Sequence, residues 1–249
     1  MTVGVSTIVQ IADCAESQSG LIATGQLLRL GLTPTDVAGL VAAGYLMDTY
    51  YVEDVWRIAG TTERDHEAVH ATWLAASEHG RGRGATAPLI AAGETAAVLL
   101  DIGDYWPTTF EFVTEDPAPY CGFDGIDVRP MQLDRLDTLL VRGIPAMTPA
   151  RAITDLVATH GDHSLIARAL HDAVWKHYPV GPRDLDPFPA PLAAEHGHGE
   201  GDGAALRRAL YQLAGMDVDG FPVKGGGTTG APAFTTDRET EPPAGQSRP

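Results

Sequence analysis

The sequence predicts an α+β fold, and three features of it do so. The first sixty residues read as short helices punctuated by glycine and closed by a hairpin. The middle mixes helical spacing of apolar residues with strict alternation, as expected where helices lie beside a sheet. From residue 179 onward Pro, Gly, Ala and acidic residues dominate, with PFPAP, HGHGEGDG and KGGGTTGAPA as low-complexity pieces. The expected organisation is a helical domain with a hairpin over 6–60, an α+β domain over 61–178, and a low-complexity tail over 179–249 with a short helix near 203–214.

In the first segment, Ile8, Ile11, Ala12 and Ala15 share one face of a helix from about Thr7 to Gln18, which Gly20 ends. Thr24 stands where it would cap a second short helix, Gly25 to Leu30. Thr33-Pro34-Thr35-Asp36 starts a third, with a Thr cap, Pro at the first position and a carboxylate three residues after the cap. Val37, Leu40 and Val41 form its inward face. Tyr45–Met47 and Val55–Ile58 are expected to pair as strands around the loop Asp48–Asp54. Helix, helix-turn-helix and two-stranded wing is the order of a winged helix, with Thr33 to Ala43 in the recognition position. On that arrangement Thr33, Thr35, Ala38, Gly39 and Ala42 face a DNA groove, with Tyr50 and Arg57 on the wing.

In the second segment a helix is expected from Thr61 to Glu78, a flexible joint at Gly80–Gly84, and an apolar helix from Pro88 to Leu100. Thr108–Thr114 and Gly125–Met131 alternate around Phe110, Phe112, Ile126 and Val128 and read as strands. Thr138–Met147 reads as a third, completing a small sheet covered by the earlier helices. Thr148 then caps a helix with Pro149 at its first position and Ile153, Leu156 and Val157 inward. Asp162 caps the next, whose stripe is Leu165, Ile166, Ala169, Leu170, Ala173 and Val174. Arg151 with Asp155, and Arg168 with Asp172, are spaced as solvent-side i,i+4 pairs.

Lys plus Arg is 17 against Asp plus Glu 33, a net charge of −16. That balance argues against broad affinity for nucleic acid or anionic membrane, while leaving room for a small local site. The two cysteines, Cys14 and Cys121, are far apart and lack CxxC spacing, which fits a reducing cytosol. The opening residues lack the basic start of a signal peptide, and no apolar run approaches the ~20 residues of a membrane span. A cytoplasmic protein without a membrane partner is expected.

One string suggests chemistry. His66-Glu67-Ala68-Val69-His70 is HExxH, which on a helix places two imidazoles one turn apart to share zinc, with Glu67 as general base. Glu94 is the conceivable third ligand. The continuation seen in one large class of such peptidases is missing, since Trp73 and Ala76 stand at its Gly and His positions. A solvated helix face is the plainer reading, and a zinc peptidase the alternative. His196 and His198 read as linker, His160, His163 and His171 as caps or surface, and Glu111, Asp116, Asp124 and Asp127 as solubilising charge. Trp56, Trp73, Trp106 and Trp175 read as core or interface residues.

Set beside known families, the blocks TAPLIAAGETAAVLLDIGDYWPTTFEF and GIDVRPMQLDRLDTLLVRGIPAMTPARAITDL, following the winged helix, resemble the AbiEi antitoxins of type IV toxin–antitoxin systems, in their actinobacterial form. The likeness spans Ser6 to Val174, two thirds of the chain. Gly143, Pro145, Thr148, Pro149, Ala150, Arg151, Ile153, Asp155 and Leu156 stand in the signature run, where they read as structural. The resemblance implies a non-enzymatic regulator without cofactor. Its winged helix would bind promoter DNA, and its second domain would counter a nucleotidyltransferase-like toxin. From Ser6 to Gly60, however, Arg29 and Arg57 face six carboxylates, a net −4. An interaction module that has lost DNA binding is therefore the other alternative.

Overall fold

The computed structural model describes residues 3–185, 190–217 and 219–223. Its first unit runs α1 (Val5–Glu16), β1 (Leu21–Ala23), α2 (Thr24–Arg29), α3 (Pro34–Ala42), β2 (Leu46–Asp48) and β3 (Val55–Ile58). The strands form an antiparallel sheet in the order β1-β3-β2. This is a winged-helix topology. The apolar faces expected of the first and third helices meet, except that Ala12 is exposed: Ile11, Ala15, Val37 and Leu40 bury one another together with Leu27 of α2, Leu46 and Ile58. β1 is the element the sequence hides, because Leu21-Ile22-Ala23 is an apolar triplet buried throughout and too short to alternate. Thr24 is not a cap: Ala23 holds that position, and the Thr24 hydroxyl donates to Asp54 Oδ1 at 3.1 Å and accepts from Trp56 Nε1 at 2.8 Å.

α4 (Glu67–Gly82) starts later than the spacing suggested and continues into the glycine joint. His66, in the left-handed region at φ 68°, marks its start. Its two apolar faces serve two cores. Ala71 and Leu74 pack with Leu21, Ala23 and Val55 of the winged helix. Val69 and Ala76 pack with Ala91, Phe112, Ile144 and Ala146 of the second unit.

That second unit runs β4 (Ile90–Ala91), α5 (Gly93–Leu100), β5 (Phe110–Thr114), β6 (Ile126–Pro130), β7 (Thr138–Val141), β8 (Ile144–Met147), α6 (Pro149–Thr159) and α7 (His163–Trp175). Five strands form the sheet where three were expected, in the order β6-β5-β4-β8-β7. β5 and β6 pair in parallel, as do β4 and β8, while the other neighbours are antiparallel. β4 lies inside the stretch expected to be helical. Ala92 is extended and its N–H bonds Glu111 O at 3.0 Å, so the chain spends two residues as strand before Gly93, at φ 48°, turns it into α5. The expected single strand Thr138–Met147 is a hairpin. It reverses at Arg142-Gly143, both with positive φ, the two-residue turn that matches strand twist. A Cβ at Gly143 would sit 2.5 Å from Ser17 O, so the hairpin tip abuts the end of α1.

Val113 and Met147 face a core with Ala97, Leu100, Ile153, Leu156, Ile166 and Leu170 of α5, α6 and α7. The expected boundary at residue 178 does not hold. α8 (Pro182–Leu185), α9 (Ala190–Glu195) and α10 (Gly203–Leu213) follow, and Leu185, Leu192, Leu206, Leu210 and Tyr211 enter that same core. The remainder of the low-complexity tail, residues 224–249, lies outside the described residues.

Both solvent-side i,i+4 pairs are corrected. Asp155 is buried and binds Arg129 of β6 at 2.7 Å, while the Arg151 Nη2 lies 3.3 Å from Met131 Sδ. Arg168 lies 3.8 Å from Asp104, and Asp172 accepts the Gly103 N–H at 2.9 Å. Tertiary partners outcompete the neighbours one turn away. No helix among the described residues is long and apolar enough to cross a membrane.

Candidate functional site

α3 is held by its own first turn. Thr33 N–H donates to Asp36 Oδ2 at 3.0 Å and Asp36 N–H to Thr33 Oγ1 at 3.2 Å, the reciprocal cap read from the sequence. The Thr33 hydroxyl also donates to that carboxylate, which, with the backbone bond, keeps Asp36 below the usual carboxylate range. With Val37 and Leu40 in the core, Thr33, Thr35, Ala38, Gly39 and Ala42 are exposed, as expected of a recognition face. Between this face and the wing lies a shallow apolar depression of about 480 Å³, lined by Pro34, Val37, Ala38, Val41 and Trp56 among others. Tyr50 stands at the wing tip, 87% exposed.

Arg57 is not on that surface. Its side chain is 13% exposed and lies 3.5 Å from Glu63 and 3.6 Å from Glu67, at the junction of β3 with α4. Arg29 is likewise committed, donating two bonds to Glu78 at 2.6 and 2.7 Å. The winged helix therefore presents a small-residue face whose two arginines already neutralise carboxylates of the chain.

The HExxH residues do not assemble as a zinc face. His66 stands at the N-cap of α4 in a left-handed conformation, its carbonyl accepting the His70 N–H at 3.1 Å. His70 is 3% exposed, and burial, with Arg142 adding, pushes its pKa down to about 4. Glu67 is buried beside Arg57, its pKa raised by burial and lowered in part by that guanidinium. Glu94 lies elsewhere, 3.5 Å from His160. Among the described residues no group of three His, Cys, Asp or Glu side chains is placed to hold a metal ion.

A charged cluster that the sequence did not reveal sits where α5, β5, β6 and α6 converge. His160 lies between Glu94 (3.5 Å) and Glu111 (3.4 Å), and Glu111 Oε2 accepts the Glu94 N–H at 3.1 Å. Burial raises the Glu111 pKa, and His160, Arg129 and the Glu94 N–H lower it. Asp155 with Arg129 completes the group. Glu111, expected to be a solubilising charge, instead ties a strand to a helix N-terminus. His160, expected as a cap or surface group, braces it. The signature residue Asp155 fastens α6 to β6. The arrangement engages its own side chains and reads as bracing, with His160 Nε2 left without a hydrogen bond. His163 and His196 also pair, ring nitrogens 2.6 Å apart, and His196 Nε2 lies 2.7 Å from Val157 O. Of the tryptophans expected inside, Trp106 and Trp175 are exposed.

Fold and surfaces together define a winged-helix unit fused to a mixed-sheet α+β unit, with an exposed small-residue helix face on one and a charged side-chain cluster in the other. No protein-family model matches the chain, and no curated protein matches it in sequence. Among solved structures it is similar to the crystal structure of the RV2827C protein from Mycobacterium tuberculosis, with 16% sequence identity and a TM-score of 0.46 over 88% of this chain and 80% of that one. A likeness so distant carries no inference about activity.

Proposed function

We propose that the chain is a non-enzymatic regulator of the antitoxin type, which contacts promoter DNA through α3 and counters a nucleotidyltransferase-like toxin with its second unit. The observation that supports the reading best is the complete winged-helix topology with α3 uncovered from Thr33 to Ala42. The signature run from Gly143 to Leu156, similar to that of the AbiEi antitoxins, supports the toxin half. DNA contact here would rest on close approach of small residues, with backbone N–H groups and hydroxyls reaching phosphates, because both arginines of this unit are engaged. Few released counterions mean modest affinity with only a shallow dependence on salt.

A gel-shift titration with the DNA upstream of the gene, at about 20 mM salt where phosphate contacts are strongest, is the test. The expected result is a shifted band that Ala38→Glu with Ala42→Glu removes. No shift at that salt overturns the DNA half. The acidic balance of the unit favours a second reading, in which the winged helix docks only on protein. A pull-down of a co-expressed toxin without any DNA shift is its expected signature.

A further inference from the structure

α4 has three long faces, and two are used: one by the winged helix and one by the sheet. The third, Ala68, Thr72, Ala75 and His79, recurs at helical spacing and forms the floor of a groove of about 950 Å³ between the two units. One wall is Thr24, Gly25 and Leu28 of α2 with the wing residues Tyr51 to Asp54. The other is Thr108 and Phe110 at the start of β5 with the loop Gly122–Gly125. Leu28, Val52, Phe110 and Phe123 make the interior apolar, and no Lys or Arg lines it.

The carboxylates at its rim are of two kinds. Glu78 is already paired with Arg29 and Arg81. Glu53 and Asp54 on the wing side and Asp124 opposite have no cation partner among the described residues; the Asp54 carboxylate accepts only the Thr24 hydroxyl. The floor points to a ligand independently. Thr72 is 4% exposed and lines the groove, and its hydroxyl, without a hydrogen-bond partner among the described residues, opens into it. A helical threonine hydroxyl often bonds the carbonyl four residues back, as Thr154 does to Ala150, which leaves nothing for a ligand; Thr72 keeps its hydroxyl available to the groove.

We propose that this groove is the docking site for a basic, apolar segment of a protein partner. Its Lys or Arg side chains would lie between Glu53, Asp54 and Asp124, its apolar side chains would pack on Phe110, Phe123 and Val52, and a backbone or side-chain group would bond Thr72. Nucleic acid is disfavoured by the rim charge, since phosphates would face unpaired carboxylates. The proposal does not rest on DNA contact by α3, so a failed gel shift leaves it standing.

The test is fluorescence anisotropy of the full chain with a short labelled peptide of alternating lysine and leucine, beside the same peptide with glutamate for lysine. Binding of the lysine peptide alone is expected. Neutralising the rim with Glu53→Gln, Asp54→Asn and Asp124→Asn should weaken it about tenfold, as expected for the loss of three exposed charge pairs. The exposed wall substitution Leu28→Lys should weaken it too. The distant set Asp13→Asn, Glu16→Gln and Glu200→Gln, which removes the same charge from other surfaces, should change it less than about twofold. No binding at low salt, equal losses in both sets, or displacement by single-stranded DNA would overturn the proposal.

Discussion

His70 is a neutral imidazole with nowhere to put a proton. It is 3% exposed, its Nε2 has no partner, and its pKa lies at about 4, far below the ordinary 6.5. Above pH 6.5 the ring is neutral folded and unfolded, so it has no effect on stability. Below that the unfolded chain gains a proton the folded chain refuses, and stability falls until about pH 4, where both are protonated. Between pH 7 and pH 5 the loss should be about 2 kcal/mol. Chemical denaturation at the two pH values measures it, and a His70→Phe variant should lose distinctly less. Equal losses in both proteins would place the burial elsewhere. The sequence offered His70 as half of a zinc pair, because spacing alone cannot tell a helix interior from its first residue. By contrast, the caps at Thr33, Thr148 and Asp162 were legible, since each is decided within four residues.

Helix α6 shows where element-level reading stops. Its start, its apolar stripe and its packing against α5 and α7 follow from local spacing. Its ionic anchor does not: Asp155 takes Arg129, 26 positions earlier, over Arg151, four earlier. Arg129→Ala leaves a buried carboxylate unpaired and should cost about 3 kcal/mol. Arg151→Ala removes no ion pair and should stay within about 1 kcal/mol. Thermal or urea unfolding of the two variants side by side decides the matter, and equal effects would restore the i,i+4 pair. β4 was missed for a related reason. Two residues cannot show a period, and only β5 and β8 on either side make Ile90-Ala91 a strand. The groove was illegible because its walls come from α2, the wing, β5 and the loop after it. No stretch of sequence contains it.

At the scale of the molecule, composition misjudged the region after Tyr178. Gly, Pro, Ala and acidic residues dominate it by number, yet Leu185, Leu192, Leu206, Leu210, Tyr211 and Met216 are buried in the main core. At about 1.5–3 kcal/mol for each large apolar side chain, these residues contribute on the order of 10 kcal/mol, comparable to a whole domain's stability. A chain truncated after Tyr178 should therefore be insoluble or lack a cooperative transition. A stable, soluble product with an unchanged melting temperature would show the helices to be ornamental.

α4 belongs to two hydrophobic clusters at once, and this bears on how the molecule comes apart. If the winged helix melted alone, Ala71 and Leu74 would be stripped while Val69 and Ala76 still needed the helix intact. The reverse holds if the sheet melted first. Neither unit can lose its partner without exposing a face of the same sixteen residues. The two domains drawn by topology are thus bound into one unfolding equilibrium, and a destabilising change in either should be read in the melting of both.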